Sequence, residues 1–393
     1  MFKENKNLLI IALIAVVNAL GYGIIIPVLY SYSQKFGLSD FQNGLLFATF
    51  SLAQFFSTPF IGRLSDKYGR RPLLIISIAG TAVSFFVMAF APNMYFLFLA
   101  RILDGLTAGN IPVASAVISD TTTPENRAKG FGIMGAAFGF GFIFGPAISA
   151  FTVGISPSMP FIVAGTIAVI ATIITAVLLP ETNKHIGEVQ KGKLFDFSRL
   201  WHALFDPNVG VTFLITLLYS FAFSLFIYAF QPFAVKVLRL DSQHISALFT
   251  LFGVVGLITQ VLLVERFSKW LGLKRSFIVS STIVAIAFLG MFFADSFYTF
   301  VAASILLGIF NSIAQPLIQT ILSRETDPKS QGTILGLNAS YMSIGQIIGP
   351  IAGGVLATIA IPYPFLAGSL LILVCVALSR NILRAGVKKE SAF

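Results

Sequence analysis

Long apolar runs alternate with short polar interruptions along the whole chain, and the interruptions carry nearly all of the charge. A helix needs about 20 apolar residues to cross roughly 30 Å of hydrocarbon. By that measure the pattern predicts spans near 8–31, 42–63, 72–91, 94–118, 127–152 and 159–180, then near 208–235, 243–265, 274–294, 297–322, 331–359 and 363–383. Lipid offers no partners to backbone amides, and these runs are too long and too uniformly apolar for barrel strands. The expected fold class is therefore all-α integral membrane, with twelve transmembrane helices. The first run outlasts the short core of a signal peptide, contains Asn18 and Pro27 and lacks a cleavage site, so it reads as a span.

Composition agrees with that reading. The 393 residues are 56% hydrophobic and 11% charged, against roughly a quarter charged in soluble domains. A net charge of +10 raises nucleic acid as a partner, but the positions of the cations argue for the lipid bilayer instead. With twelve spans and an internal N-terminus, Lys3, Arg63, Lys67, Arg70, Arg71, Arg127, Lys129, Lys274, Arg275, Arg324, Arg380 and Lys388 fall inside, and only Lys35, Lys236 and Arg239 fall outside. The positive-inside rule then predicts a multi-pass protein of the bacterial plasma (inner) membrane with both termini cytoplasmic. The single cysteine, Cys375, allows no intramolecular disulfide, and His185, His202 and His244 have no metal-ligand spacing. No phosphate loop and no nucleophile-base constellation is present. Neither enzymatic activity nor a metal or other cofactor is expected, and energy should come from an ion gradient.

The one long polar connection, 181–207, divides the spans into an N-terminal six-helix bundle, 1–180, and a C-terminal one, 208–393. It carries Lys184, Glu188, Lys191, Lys193, Asp196 and Arg199 and ends in an amphipathic stretch from Leu194 through Phe205. That stretch is expected to lie on the anionic inner leaflet with Phe197, Leu200, Trp201 and Leu204 inserted. An offset of 204 positions superposes Pro112 on Pro316, Ser119 on Ser323, Pro124 on Pro328, Gly132 on Gly336 and Gly145-Pro146 on Gly349-Pro350. Duplicated halves around a midplane site are the architecture of many secondary transporters.

Between spans 2 and 3 stands Gly62-Arg63-Leu64-Ser65-Asp66-Lys67-Tyr68-Gly69-Arg70-Arg71. The glycines suit a tight turn and the charges a hydrogen-bonded cluster at the membrane surface. This stretch resembles the signature of the major facilitator superfamily, G-x-L-x-D-x-x-G-R-[RK]. The resemblance implies two six-helix pseudo-repeats and a conformational latch made of Gly62, Asp66, Gly69, Arg70, Arg71 and the acid at the end of span 4, Asp120. It implies that the Asp caps a helix of the opposite half and that the Arg pairs with Asp120. The second-half counterpart, Glu265 to Arg275, has Lys269 where the acid would be, so the latch is expected in the first half only.

Span 4 carries Arg101 to Gly105, which looks like the family's R-x-x-x-G signature, associated with proton coupling. Helical spacing puts Arg101, Asp104, Ala108, Pro112 and Ser115 on one stripe. A charge pair inside a membrane is costly unless it faces protein or water, so the stripe should face the cavity. Asp104 is then either a proton carrier or the static ion-pair partner of Arg101. Span 5 carries Gly135, Gly139, Gly141, Gly145 and Pro146, resembling the signature of the antiporter branch; small residues at this spacing also make a packing seam. Span 11 repeats it weakly in Gly345, Gly349 and Pro350.

Across the first half the likeness narrows to bacterial tetracycline/proton and drug/proton antiporters, through Asn18 to Leu29, Gln54 and Asp120 to Pro146. Tetracycline antiporters place an acid in span 1 where this chain has Asn18, which argues against tetracycline as substrate and against a two-acid proton pathway.

Other polar groups on plausible pathway faces are Asn18, Tyr22, Asn43, Gln54, Tyr219, Gln231, Gln260, Asn311, Gln315, Asn338 and Tyr341, each equally suited to an interhelical hydrogen bond. Phe47, Phe223 and Phe226 suit an apolar wall. The C-terminal spans offer no anchor for a strongly anionic substrate. The expected function is proton-coupled efflux of a small amphiphilic drug-like or metabolite-like substrate by alternating access, carried out by a monomer, with protons as the second partner. The alternatives are an uptake symporter or facilitator for a nutrient or siderophore-like metabolite, and a non-transporting membrane scaffold or receptor.

Overall fold

The computed structural model describes residues 2–183, 186–187, 197–326 and 330–383, with side chains from residue 8 onward except 124–129. Lys184, His185, Glu188, Lys191, Lys193 and Asp196 lie outside the described residues. Among the described residues, twelve helices are long and apolar enough to cross a membrane. Spans 1 to 6 are Leu8–Ile25, Asp40–Tyr68, Arg70–Ala89, Met94–Thr121, Gly130–Val153 and Met159–Leu178. Spans 7 to 12 are Gly210–Lys236, Ser242–Leu262, Leu273–Phe292, Phe297–Glu325, Gln331–Ile359 and Tyr363–Asn381.

Three local departures from the hydrophobic pattern have physical causes. Span 1 stops at Ile25, before Pro27, and the chain restarts as a short helix, Leu29–Gln34. Proline has no N–H to continue the ladder. Span 2 does not end where its apolar run ends but stays helical through Tyr68, so the turn falls on Gly69, whose φ of 103° favours glycine. Gly62 is therefore mid-helix with no atom within 4 Å of a Cβ built there, and the turn does not require it. Span 4 is two helices, Met94–Thr107 and Asn110–Thr121, parted at Ala108 and Gly109.

The chain packs as two units. The first comprises Met1–Ser39, Thr49–Phe195 and Leu240–Gly253; the second comprises Asp40–Ala48, Asp196–Arg239 and Val254–Phe393. The first turns of span 2 thus pack with the second set of spans, and those of span 8 with the first. Within the first unit, spans 1 and 5 form one close seam and spans 3 and 6 another. Their shared core holds Ile11, Ile14, Leu74, Val117, Ile118 and Ala168. The second unit repeats the plan with span 7 on span 11 and span 9 on span 12.

The amphipathic stretch is helical over Phe197–Ala203. Of the four side chains expected in the lipid surface, Leu200 and Leu204 instead pack on the Ala203, Val209, Phe213 and Tyr341 cluster. Phe197 and Trp201, with Phe205, remain exposed. The stretch therefore covers the base of its own bundle with one face and leaves an aromatic edge on the other.

Candidate functional site

Buried charge inside the spans is concentrated at Arg101 and Asp104, 3% and 6% exposed. The helix that holds them starts at Asn93, whose side chain accepts the Tyr95 N–H at 3.1 Å. Arg101 Nη1 lies 3.3 Å from Asp104 Oδ2. The guanidinium also sits 4.5 Å from the centre of the Phe50 ring, a cation–π contact that partly replaces lost hydration. Its Nε has no hydrogen-bond partner. Tyr22 completes the surround, with its ring 6.2 Å from that of Phe50 and 5.8 Å from that of Phe142.

Span 2 passes so close to this turn that glycine is needed in span 4. A Cβ on Gly105 would stand 2.4 Å from the Phe50 carbonyl oxygen. The same approach satisfies the carbonyls freed by the break: Ser57 Oγ donates to Gly105 at 3.0 Å, and Gln54 Nε2 to Ala108 at 3.4 Å. The break also shifts the buried face. Arg101 and Asp104 are buried, Ala108 and Ser115 half-buried and Pro112 exposed, and the break falls within the five-residue stripe expected of one unbroken helix.

Beyond the break, Asn110 and Asn18 exchange amide hydrogen bonds at 2.9 and 3.1 Å. Asn18 is thus joined to span 4. Other expected pathway groups have comparable partners. Asn338 accepts from Thr216 Oγ1 at 2.7 Å, and the Tyr341 hydroxyl donates to the Leu200 carbonyl. Tyr219 is buried with its hydroxyl unpartnered, 6.3 Å from the Phe277 ring between centroids. Asn43 and Gln231 are fully buried, Asn311 is buried with Oδ1 unpartnered, Gln315 is half-buried and Gln260 is exposed. Phe226 is enclosed by Phe230 and Phe288 and makes core, while Phe47 meets the edge of Tyr228.

A second cluster lies at the Gly69 turn. Arg70 Nη1 contacts Asp66 Oδ1 at 2.5 Å and Ser65 Oγ at 2.6 Å, and its Nε lies 3.3 Å from Asp120 Oδ2. Arg71 Nη2 donates to the Ala176 carbonyl at 2.6 Å. Sequence reasoning missed Glu181, whose carboxylate accepts the backbone N–H of Arg70 at 2.9 Å and of Arg71 at 3.1 Å. It thereby caps span 3, where a negative charge complements the exposed N–H groups and the helix dipole. An acid directly after span 6 was the available signal. In the second set Lys274 Nζ donates to the Arg380 and Ile382 carbonyls at 2.8 and 2.9 Å, much as Arg71 does to Ala176. Lys269 pairs with exposed Glu265 at 2.5 Å.

The span 5 glycines divide in two. A Cβ on Gly141 would meet Ala19 Cβ at 2.3 Å and one on Gly145 would meet Gly23 Cα at 2.8 Å, whereas Gly135 and Gly139 have nothing within 4 Å. The packing seam is therefore Gly141, Gly145 and Pro146 against span 1, and Gly135 and Gly139 are outside it. Gly345 and Gly349 approach span 7 in the same way, at 2.7 Å from Phe221 N and 2.4 Å from Ser224 Cβ.

Among the described residues, twelve apolar helices fall in two similarly packed sets of six with a buried charge pair, the form of a membrane transporter. The sequence profile of the Major Facilitator Superfamily matches residues 11–210 and 212–392. The chain belongs to that superfamily. Multidrug resistance protein 1 of Bacillus subtilis is 31% identical over 386 residues, spanning 96% of this chain and 97% of that protein. Quinolone resistance protein NorA of Staphylococcus aureus (strain MRSA252) is 30% identical over 381 residues, spanning 94% and 96%. Among solved structures, the nucleoside transporter NupG superposes with a TM-score of 0.79 at 14% identity over 96% of this chain and all of that one. A bacterial homolog of the human lysosomal transporter Spinster, inward-facing and occupied, gives 0.76 at 15% identity over 96% and 98%. These structures share the fold.

Proposed function

We propose that this protein exports small amphiphilic molecules in exchange for protons, by alternating access between the halves 1–180 and 208–393. The observation that carries the coupling is the geometry of Arg101 and Asp104. A fully formed charge-assisted bond measures about 2.7–2.9 Å, and this pair has one contact at 3.3 Å with Nε unpartnered. A pair meant only to hold the fold, buried this deeply, should be better satisfied. A loosely held carboxylate among Phe50, Tyr22 and Phe142 is suited to take up a proton on one side and release it on the other. Protonation removes the counter-charge of Arg101, so the two protonation states favour different surroundings for the guanidinium. That difference is what biases a two-state carrier.

Export is supported by the relatives' names, which are those of multidrug and quinolone resistance proteins. Among the described residues, Lys and Arg, Asp and Glu occur in spans 7 to 12 only near their ends. A pathway between neutral faces suits neutral, zwitterionic or cationic amphiphiles rather than strong anions. The cluster of Asp66, Arg70, Arg71, Asp120 and Glu181 is read as the latch on the cytoplasmic side, where the positive-inside rule places the Gly69 turn.

Everted membrane vesicles with an acid interior test the direction. They should accumulate a quinolone or cationic dye and release it when the pH gradient is collapsed. Gradient-driven accumulation in right-side-out vesicles alone would identify an uptake system instead.

A further inference from the structure

The ends of the spans remote from the Gly69 turn carry two acid–lysine pairs in corresponding places, one closed and one open. In the second unit Asp40 starts span 2 and Lys236 ends span 7. Lys236 Nζ lies 2.7 and 2.8 Å from the two Asp40 oxygens, and the Tyr228 hydroxyl donates to the Asp40 carbonyl at 2.5 Å. The 204-residue offset of the repeat carries Lys236 to within three residues of Lys35 and Asp40 to within three residues of Asp241. Lys35 follows the short helix after span 1, and Asp241 immediately precedes span 8. Both belong to the first unit.

There the charges do not meet. Lys35 and Asp241 line a cavity of about 280 Å³ together with Val28, Ser31, Tyr32 and Val153 among others. At about 30 Å³ per water, that volume holds roughly nine waters, which is amino-acid size. Ser31 contributes wall only, since its Oγ is buried out of reach of the cavity. The Tyr32 hydroxyl is already committed to the Met88 and Ala89 carbonyls at 3.0 and 3.3 Å, so the residue contributes wall rather than polarity. Asp241 is held below the usual carboxylate range, first by the backbone N–H of His244. Its Oδ1 also lies 2.8 Å from His244 Nδ1.

We propose that this cavity binds a small zwitterion with an apolar body, its acidic group against Lys35 and its ammonium against Asp241. In the second unit the protein's own charges neutralise each other; in the first, the same two kinds of charge line one cavity. Val28 and Val153 offer the apolar surface such a body needs.

The test is equilibrium binding to the full chain in lipid nanodiscs without any gradient, so its result is independent of whether transport is proton-coupled. The probes are L-phenylalanine and two compounds with the same ring and one charge each, phenethylamine and phenylpropionate. Phenylalanine should bind saturably and at least tenfold more tightly than either single-charge probe. Lys35→Gln and Asp241→Asn should each weaken it at least tenfold, and Lys236→Gln should leave it unchanged. Both charged side chains are at the surface, so these variants should melt as the parent does. Absence of saturable binding, equal binding of all three probes, or wild-type affinity in Lys35→Gln and Asp241→Asn would overturn the proposal.

Discussion

Arg101 and Asp104 stand one helical turn apart at 3.3 Å, deep in the first unit, and the guanidinium leans on the Phe50 ring. The contact is longer than a fully formed charge-assisted bond of about 2.7–2.9 Å. Removing either partner alone has different consequences for a carrier and for a structural pair.

Asp104→Asn should leave a protein that folds and exchanges substrate but no longer accumulates it against a gradient, because Asn mimics the protonated acid. A purely structural pair predicts a loss of about 3–5 kcal/mol from an unpaired buried Arg101, and recovery of stability in the double variant Arg101→Gln with Asp104→Asn. Thermal unfolding in detergent separates the two, since the carrier reading predicts a small change in melting temperature for the single variant.

The Asn18–Asn110 amide pair should behave as structure. Asn18→Leu strands the Asn110 amide and should cost about 1–3 kcal/mol, whereas replacing both by Leu should recover much of the loss. Polar pairs between membrane helices average nearer 0.6 kcal/mol, so the lower end is expected. Unchanged melting of the single variant, with lost substrate binding, would place Asn18 in the pathway instead.

At the Gly69 turn, Glu181 holds the first N–H groups of span 3 while Arg70 ties Asp66 to Asp120. Asp66→Ala, Arg70→Ala and Glu181→Ala should each cut transport at least tenfold with normal membrane insertion. Glu181→Gln, which keeps an acceptor and loses only the charge at the helix end, should cost about 0.3–1 kcal/mol and less activity. Wild-type transport rates in all four would reduce the cluster to a topological signal.

The span 5 glycines should sort by their surroundings. Gly141→Ala and Gly145→Ala force span 5 away from span 1 and should lower expression and melting temperature. Gly135→Ala and Gly139→Ala meet nothing and should be neutral or stabilising by up to about 1 kcal/mol, as alanine is the better helix former. Equal effects at all four positions would contradict the seam.

How much of this was visible in the chain depends on how far apart the partners lie. Twelve spans follow from apolar run length, which is local, whereas the Asp66, Arg70 and Asp120 cluster is implied only by the resemblance of the Gly62 to Arg71 stretch to a family signature. Asn18 meets Asn110 across 92 positions, and nothing in either neighbourhood announces the pairing. Leu200 and Leu204 were read as lipid-facing because an amphipathic pattern shows that one face is buried without showing in what. The break at Ala108 and Gly109 escaped notice because glycine is common in membrane helices; what it serves is the passage of span 2, which only packing reveals. The assignment of the first turns of spans 2 and 8 to the opposite units is likewise a tertiary property, invisible to hydropathy.

Proteoliposomes holding a pH-sensitive dye and an acid interior give the most direct test of proton coupling through Asp104. Adding substrate outside should discharge the gradient in the wild-type protein, and should fail to do so in Asp104→Asn even though that variant still exchanges labelled substrate. Substrate entry that leaves the wild-type gradient intact, or substrate-driven discharge by Asp104→Asn, would contradict the account.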